Sequence, residues 1–319
     1  MKSSEPILVV GTGAMACLFS ARLLQAGLQV YMLGGWAEGI RAIRNSGIKV
    51  LEEASERIYH PDLISSKPGD FAGARLALVL VKSWGTVKAA RQLSQCLAPD
   101  GLALTLQNGL GNYEILAEGL GFKRALVGTT TAGATLVKAG VVKPAGSGSI
   151  SIGDHTRGRF LIDPLRSAGF KVETVNDIQS LVWGKLAINT AINPLTAILG
   201  VPNGKLVENP QSLELLGRTA RETATVAGSL GINIPYPDPA AAAEKVARDT
   251  AGNISSMLQD LRRGAPTEID AINGQVVQNG EKAGIPTPTN QALYSLVKSL
   301  VAINKTGQKE KNQSTRSYD

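Results

Sequence analysis

The chain has 319 residues, of which 43% are hydrophobic and 18% are charged, and its net charge is +7. These proportions are typical of a water-soluble globular protein, and the length is sufficient for two domains with separate cores. The positive charge does not indicate a nucleic-acid-binding protein, because Lys and Arg form no long block and only 4% of residues are aromatic. No apolar stretch reaches the about 18 residues of a membrane span, so we expect no membrane partner.

The few cysteines and histidines exclude several kinds of site. The two cysteines, Cys17 and Cys96, lack the spacing of a metal site and predict reduced thiols in a cytoplasmic protein. The two histidines, His60 and His155, share no motif. We therefore expect neither a metal ion nor acid–base catalysis by histidine.

The N-terminal segment predicts a dinucleotide-binding turn. Residues 7–16 read Ile-Leu-Val-Val-Gly-Thr-Gly-Ala-Met-Ala, an apolar run that leads into an amphipathic stretch. In such a strand–turn–helix unit, Gly11 allows the tight turn, Gly13 lets the backbone approach a pyrophosphate, and Ala16 lets helix and strand pack closely. The pyrophosphate would lie at the helix N-terminus, where free N–H groups favour an anion. The alternative is a glycine turn that binds nothing.

The first half of the chain alternates predicted strands with predicted helices. Apolar runs predict strands, and the runs between them predict helices near residues 37–45 and 86–97. The strands are expected at residues 7–10, 29–33, 76–81, 102–106 and 125–129. This alternation predicts a doubly wound parallel sheet of the Rossmann type. Antiparallel strands are expected within residues 130–153.

After residue 176 the pattern becomes helical. Helices are predicted at residues 178–199, 210–230, 239–262, 267–283 and 289–303. We therefore expect an α/β protein with a dinucleotide-binding domain at residues 1–176, an all-α substrate domain at 177–305 and a flexible polar tail at 306–319. Ligands of open α/β sheets bind at the carboxyl ends of the strands.

One helix of the second domain carries a polar ladder. Lys185, Asn189 and Asn193 are spaced four apart and share one face of a helix that is otherwise largely apolar. Because Asn is a poor helix former, two of them beside a lysine favour a binding site over a solvated stripe. A lysine in a water-poor cleft has a lowered pKa and serves as a general acid.

A second polar cluster lies at residues 253–270. It contains Asn253 and Ser256, followed by Glu268 in a Pro-Thr-Glu-Ile-Asp run that is typical of a helix start. The cluster has two interpretations. Either the Pro-Thr-Glu-Ile-Asp run only caps a helix, or the polar side chains of the cluster bind a small hydroxy acid.

Together these motifs resemble those of the ketopantoate reductase (2-dehydropantoate 2-reductase) family over residues 6–300. The matching motifs are the glycine turn, Val81-Lys82, Gln107-Asn108-Gly109, Trp183-Gly-Lys185 with Asn189 and Asn193-Pro194, and Ser255-Ser256 followed by Glu268. The resemblance implies reduction of the ketone of 2-dehydropantoate to (R)-pantoate by NADPH, in pantothenate and coenzyme A biosynthesis. It also implies a helical domain like the C-terminal domain of 6-phosphogluconate dehydrogenase.

The resemblance further implies the roles of individual residues. Lys185 corresponds to the proton donor, and Glu268 corresponds to the carboxylate beside that lysine and the cofactor. The implied substrate-binding residues are Asn108, Asn189, Asn193, Asn253 and Ser256. The implied cofactor-binding residues are Gly11, Thr12, Gly13, Ala14, Met15, Ala16, Lys82, Asn108, Ala134 and Glu268.

The segment after the second predicted strand departs from the family's pattern. NADPH-dependent members place an arginine there for the 2′-phosphate, whereas this chain reads Gly34-Gly35-Trp36, without a basic or an acidic residue. Arg41 or Arg44 would then have to reach the phosphate. We expect NADP on the strength of the resemblance, with NAD as the alternative.

Two other functions stay open. A related NAD(P)H-dependent reductase of another branched 2-oxo acid would share the catalytic residues and differ in its pocket lining. A non-catalytic dinucleotide-binding regulator would not need both Lys185 and Glu268. In each case the partners are small molecules, and the expected assembly is a monomer or a homodimer.

Overall fold

A computed structural model describes residues 5–52, 55–146 and 148–316. The chain divides into two compact units. The first contains the chain up to Gln107 together with Gly111–Ile178, and the second contains Asn108–Leu110 and the chain from Gln179 onwards. The short segment Asn108–Leu110 therefore belongs to the unit that is otherwise formed by the C-terminal part of the chain.

The first unit contains strands and helices in alternation. Its strands are β1 (Ile7–Val10), β2 (Val30–Leu33), β3 (Ile48–Leu51), β4 (Glu56–Tyr59), β5 (Leu63–Ser65), β6 (Ala74–Val79), β7 (Leu97–Thr105), β8 (Ala125–Thr130), β9 (Gly133–Lys138), β10 (Val141–Ala145), β11 (Ser149–Gly153) and β12 (Lys171–Val175). Its α-helices are α1 (Ala14–Gln25), α2 (Ala37–Ser46), α3 (Thr86–Cys96), α4 (Asn112–Leu120) and α5 (Arg159–Ser167).

The larger sheet of this unit has the strand order β12-β11-β8-β7-β6-β1-β2-β5. The strands from β8 to β5 in this order are parallel. When these strands alone are renumbered in chain order, their order across the sheet from β5 to β8 is 3-2-1-4-5-6. This is the strand order of a doubly wound dinucleotide-binding sheet. At one edge, β11 runs antiparallel to β8 and pairs with β12. The predicted fold class is confirmed.

The central strand of this sheet is buried on both faces. Ile7 and Val9 pack into a cluster with residues of α1, α2 and α5, whereas Leu8 and Val10 pack into a second cluster with residues of α3 and α4. Burial on both faces explains why β1 is a continuous apolar run rather than an alternating one. The carboxyl end of β1, where the glycine turn begins, is therefore held by two cores.

A smaller sheet has the order β4-β3-β10-β9. The antiparallel pairing of β9 with β10 confirms the antiparallel strands expected within residues 130–153. The sequence pattern does not predict β3 and β4. The reason is clearest for β4, which is largely exposed and therefore lacks an apolar run.

The second unit is helical, as predicted. Its helices are α6 (Ile178–Leu199), α7 (Lys205–Glu208), α8 (Pro210–Ser229), α9 (Pro239–Asp249), α10 (Ser256–Arg262), α11 (Asn273–Ala283) and α12 (Pro288–Arg316). Residues of α6 contribute to both hydrophobic clusters of this unit. Within the described residues, no helix is long and apolar enough to cross a membrane.

Two helices of this unit differ from their predicted extents. The helix expected at 239–262 is interrupted, because the carbonyl groups of Ala251 and Asn253 accept hydrogen bonds from the backbone of residues 203–204. The helix expected at 267–283 begins only at Asn273. The carbonyl of Glu268 accepts hydrogen bonds from the two N–H groups of residues 271–272, which makes the segment a turn rather than a helix start.

The last helix is longer than predicted. It continues past the expected end at residue 303 to Arg316, so residues 306–316 of the expected tail are helical. Six of these eleven residues are Lys, Gln, Glu or Arg, which have good helix propensities. Residues 317–319 of the expected tail lie outside the described part of the chain.

A proline inside α6 is compensated by a side chain from α11. Pro194 has no N–H group, so the carbonyl of Thr190, one turn earlier, loses its helical donor. The side-chain amide of Asn273 donates to that carbonyl oxygen at 3.1 Å and to the side chain of Asn290 at 3.0 Å. Asn273 and Asn290 are fully buried. This hydrogen bond ties α6 to the start of α11, directly after the turn that contains Glu268.

We expect the Asn273→Ala substitution to lower the free energy of unfolding by about 1–3 kcal/mol, because it leaves the buried Thr190 carbonyl without a donor. Urea denaturation measures the change. Gln278→Ala, at an exposed position of the same helix, is the control and should change stability by less than about 0.5 kcal/mol. Equal stability of Asn273→Ala and the wild type would contradict the proposed compensation of Pro194 by the Asn273 side chain.

Candidate active site

The turn after β1 requires a glycine at its first position. Gly11 has a φ of +133°, and an added Cβ would lie 3.2 Å from the carbonyl carbon and oxygen of Leu80 and 3.3 Å from the Cβ of Ala16. A larger residue at position 11 would therefore be strained and would push β1, α1 and the end of β6 apart. Ala16 is fully buried, as expected for the close contact between helix and strand.

The second glycine of the turn leaves open space at the N-terminus of α1. A Cβ added to Gly13 would meet no protein atom within 4 Å. Gly13 is the N-cap of α1, no side chain caps this end, and the first turn contains no acidic residue. The N–H groups of this turn and the positive end of the helix dipole suit an anion. The residues present therefore fit a dinucleotide pyrophosphate.

The remaining cofactor-site candidates of the first unit lie on different elements. Thr12 is buried in the turn, whereas Ala14 and Met15 begin α1 and pack partly against the first cluster. Ala134, on β9 of the smaller sheet, packs against the same cluster. Lys82 lies three residues after the end of β6 and is partly buried, and its carbonyl accepts a hydrogen bond at 2.7 Å from the Gly85 N–H.

A polar network that the sequence did not single out joins the ends of β6 and β7. The side-chain amide of Gln107 donates to the carbonyl of Val81 at 2.9 Å and to the hydroxyl of Thr86 at 2.8 Å. The same hydroxyl donates to the side chain of Asn112 at 2.7 Å. Gln107 belongs to the Gln-Asn-Gly motif, whose spacing after an apolar strand is the available signal. The network fixes the backbone on either side of Lys82.

In the second unit, the polar ladder lies on α6 as predicted. Lys185 and Asn189 are partly buried, and Asn193 is buried. The adjacent Ala187 is buried, and Leu186 and other apolar residues of the helix pack into the cores of this unit. A ladder with these burial levels is not a solvated stripe.

The structure brings Lys185 under the influence of the buried carboxylate of Glu268. Desolvation lowers the pKa of Lys185 from 10.5 to about 8, and the negative charge of Glu268 opposes part of this shift. Glu268 is itself only 5% exposed. An ammonium group with this pKa is protonated at neutral pH and releases its proton more readily than an ordinary lysine.

The segment that carries Asn108 packs on the turn that carries Glu268. The N–H of Leu110 donates to the carbonyl of Ala271 at 2.9 Å. Gly109 has a φ of +83°, and an added Cβ would collide with the same carbonyl group. Glycine at position 109 thus permits the close approach of its backbone to the backbone of Ala271. Asn108 and Glu268 therefore lie on segments that are in contact.

The last two candidates lie on either side of the N-cap of α10. Ser255 caps α10 by accepting a hydrogen bond from the Leu258 N–H, and it also accepts one at 2.7 Å from the hydroxyl of Thr196 on α6. Ser256, the first residue of α10, is partly buried, and Asn253 is exposed. Ser255 therefore has a structural role, while its neighbours remain candidates for binding.

Thiols and metal-ligating side chains are the other groups of the described residues that could form a site. Cys17 and Cys96 are buried and unpaired, and burial raises their pKa values to about 12 and about 11. In the part of the chain that the structure describes, no three His, Cys, Asp or Glu side chains are grouped as metal ligands.

Comparison with known proteins agrees with this arrangement. The family model described as ketopantoate reductase PanE/ApbA matches residues 7–157, and the one for the C terminal of the same family matches residues 177–301. The chain is 37% identical to the 2-dehydropantoate 2-reductase of Archaeoglobus fulgidus over 93% of this chain and 98% of that protein. It is 36% identical to that of Halobacterium salinarum over 92% and 97%, respectively.

Solved structures show the same similarity. The ketopantoate reductase of Ralstonia eutropha matches with a TM-score of 0.87 and 30% identity, over 94% of this chain and 99% of that one. D-mandelate dehydrogenase with NADH and anilino(oxo)acetate matches with a TM-score of 0.88 and 27% identity, over 94% and 99%. Both family models and the full-length relatives lead to one conclusion: the chain belongs to the ketopantoate reductase family.

Proposed function

We propose that the protein is an oxidoreductase that reduces the ketone of 2-dehydropantoate to (R)-pantoate with NADPH, for pantothenate and coenzyme A biosynthesis. The observation that carries this proposal is Lys185, partly buried on an apolar helix and in electrostatic contact with Glu268. The substrate is suggested by the relatives, several of which are 2-dehydropantoate 2-reductases of nearly the same length.

The chemical role of Lys185 follows from the charge that develops during ketone reduction. When bound, the reduced nicotinamide supplies a hydride to the carbonyl carbon. Negative charge then grows on the ketone oxygen, and the Lys185 ammonium stabilises it and donates a proton to it. Glu268 keeps Lys185 charged despite desolvation, because its carboxylate raises the lysine pKa.

The polar side chains of the second unit suit a small hydroxy acid. Amide and hydroxyl groups can donate to its carboxylate and exchange hydrogen bonds with its hydroxyl, and a fixed set of them lowers the entropic cost of orientation. We assign this role to Asn108, Asn189, Asn193, Asn253 and Ser256. Two of these, Asn189 and Asn193, share the face of α6 that carries Lys185.

The dinucleotide would be held mainly by the turn after β1. The N–H groups at the start of α1 face space that a pyrophosphate can fill, and Gly13 leaves that space open. The family resemblance adds further cofactor contacts, which we propose to be Gly11, Thr12, Ala14, Met15, Ala16, Lys82, Asn108, Ala134 and Glu268.

We propose that the enzyme works in the cytoplasm as a monomer or a homodimer. The two free cysteines suit a reducing compartment.

A second candidate function is suggested by one structural neighbour. The similarity to D-mandelate dehydrogenase with NADH and anilino(oxo)acetate keeps open a 2-oxo acid with a larger side chain as the substrate. Comparing kcat/KM for 2-dehydropantoate and for 2-oxo-2-phenylacetate, each with NADPH and with NADH, distinguishes the two functions. The proposal requires 2-dehydropantoate to be the better substrate.

We expect Lys185→Met to lower kcat for 2-dehydropantoate reduction by about 10²- to 10⁴-fold, because the proton donor is lost. Steady-state oxidation of NADPH measures the loss, and fluorescence titration tests whether the variant still binds the cofactor. Lys245→Met, which removes an exposed lysine of the same unit, is the control and should keep full activity. Full activity of Lys185→Met would point to a different proton donor or to a non-catalytic role.

We expect kcat/KM for reduction to be constant at lower pH and to fall as the pH rises through about 8, since only protonated Lys185 donates a proton. The pH profile measured at saturating NADPH checks this. Oxidation of (R)-pantoate should show the opposite trend, because it requires the neutral amine.

The same profile tests the coupling to Glu268. Glu268→Gln removes the charge that raises the Lys185 pKa, so the fall in kcat/KM should occur at lower pH than in the wild type. Asp270→Asn is the matched control, because this exposed carboxylate is bound by Tyr294 and Lys298 instead. An unchanged profile in Glu268→Gln would contradict the proposed coupling.

A further inference from the structure

The end of β2 is the place where a dinucleotide-binding sheet distinguishes NAD from NADP. In such folds, a side chain about 20 residues after the glycine turn contacts the ribose 2′ position, an acid for the free hydroxyl or a nearby arginine for the 2′-phosphate. In this chain the corresponding residues are Gly34 and Gly35, which have no side chains. Arg44, one of the two candidates that the sequence offers, donates to the carbonyl of Ile64 at 3.0 Å.

The packing around Gly34 leaves no room for an acidic side chain at this position. A Cβ added to Gly34 would lie 2.7 Å from Cγ2 of Thr12 and 2.9 Å from Cγ1 of Ile40. Gly34 is also buried, and its N–H donates to the carbonyl of Ser65. The side chain that would recognise a free 2′-hydroxyl therefore cannot be placed at position 34 without moving the glycine turn or α2.

The other position is exposed and lies beside a cation from a different element. A Cβ added to Gly35 would lie 3.1 Å from Nζ of Lys88 and 3.7 Å from its Cε. Lys88 is exposed in the first turn of α3, the helix that follows β6. Its ammonium group therefore occupies the space over the end of β2 that a side chain at position 35 would otherwise fill.

The surroundings of Lys88 leave its charge available. The first turn of α3 contains no acidic residue, and among the described residues no carboxylate lies within ion-pair distance of Lys88. A cation in the first turn opposes the helix dipole, so its position costs stability unless an anion compensates for it. The N-terminal end of α3 and the Lys88 ammonium together attract an anionic group.

We propose that Lys88 binds the 2′-phosphate of NADPH and makes the protein specific for the phosphorylated dinucleotide. The proposal rests on the proposed function only in that a dinucleotide occupies the turn after β1. An ammonium group from α3 would thus perform the role that an arginine after β2 performs in other NADPH-dependent members of the family.

The test uses nucleotide fragments, so that its outcome does not depend on catalysis. Isothermal titration calorimetry compares the binding of adenosine 2′,5′-bisphosphate with that of adenosine 5′-monophosphate. We expect the wild type to prefer the bisphosphate and Lys88→Met to bind it about tenfold more weakly, the effect of losing one charge-assisted contact. Binding of the monophosphate should change by less than about twofold.

Two further variants complete the design. Lys123→Met removes the same charge from an exposed residue before β8, a strand that β7, β6 and β1 separate from β2, and should leave both affinities unchanged. Gly35→Asp would place a carboxylate against Lys88 and should reverse the preference toward the monophosphate. The space around Gly35 accommodates this change, since only the flexible end of Lys88 lies near the added atom.

Two results would overturn the proposal: equal binding of both nucleotides by the wild type, or unchanged binding of the bisphosphate by Lys88→Met. These results are distinct from failure of the proposed function. A protein that binds the bisphosphate through Lys88 but does not reduce 2-dehydropantoate would refute the substrate and leave the role of Lys88 intact.

Discussion

The proton-donating role proposed for Lys185 depends on the electrostatic balance at its ammonium group. An ammonium group that is removed from water without compensation loses its proton, whereas a lysine beside a carboxylate keeps it. Here desolvation dominates and brings the pKa to about 8, and Glu268 prevents a larger decrease. The result is a group that is charged at neutral pH and still close to losing its proton, which is what a general acid requires.

Hydrogen bonds to backbone carbonyl groups hold the segments that carry the two side chains. The carbonyl that Pro194 leaves without a donor is satisfied by Asn273, so α6 is anchored to the residue that follows the turn of Glu268. The same turn also contacts the segment of Gly109 and Leu110, because the Leu110 N–H donates a hydrogen bond to the carbonyl of Ala271. Lys185, Glu268 and Asn108 come from distant parts of the sequence, and these contacts hold their segments together within one unit.

The sequence predicts most of the fold but only part of the site. The alternation of apolar runs predicts the doubly wound sheet, and the spacing of Lys185, Asn189 and Asn193 predicts their common face, because both patterns are local. The predicted start of α11 was wrong, since the Glu268 carbonyl accepts hydrogen bonds within a turn and the helix begins only after that turn. The approach of Lys88 to the end of β2 is a contact between distant segments, and no local pattern signals it.

The decisive measurement is the pKa of Lys185 in solution. Lysine labelled with ¹³C at the ε carbon can be titrated by NMR, and the spectrum of Lys185→Met assigns the signal. We expect a midpoint near 8, well below the ordinary 10.5, and a lower midpoint in Glu268→Gln. A midpoint near 10.5 that does not respond to Glu268→Gln would show that Lys185 is a solvated surface lysine and would contradict the proposed mechanism.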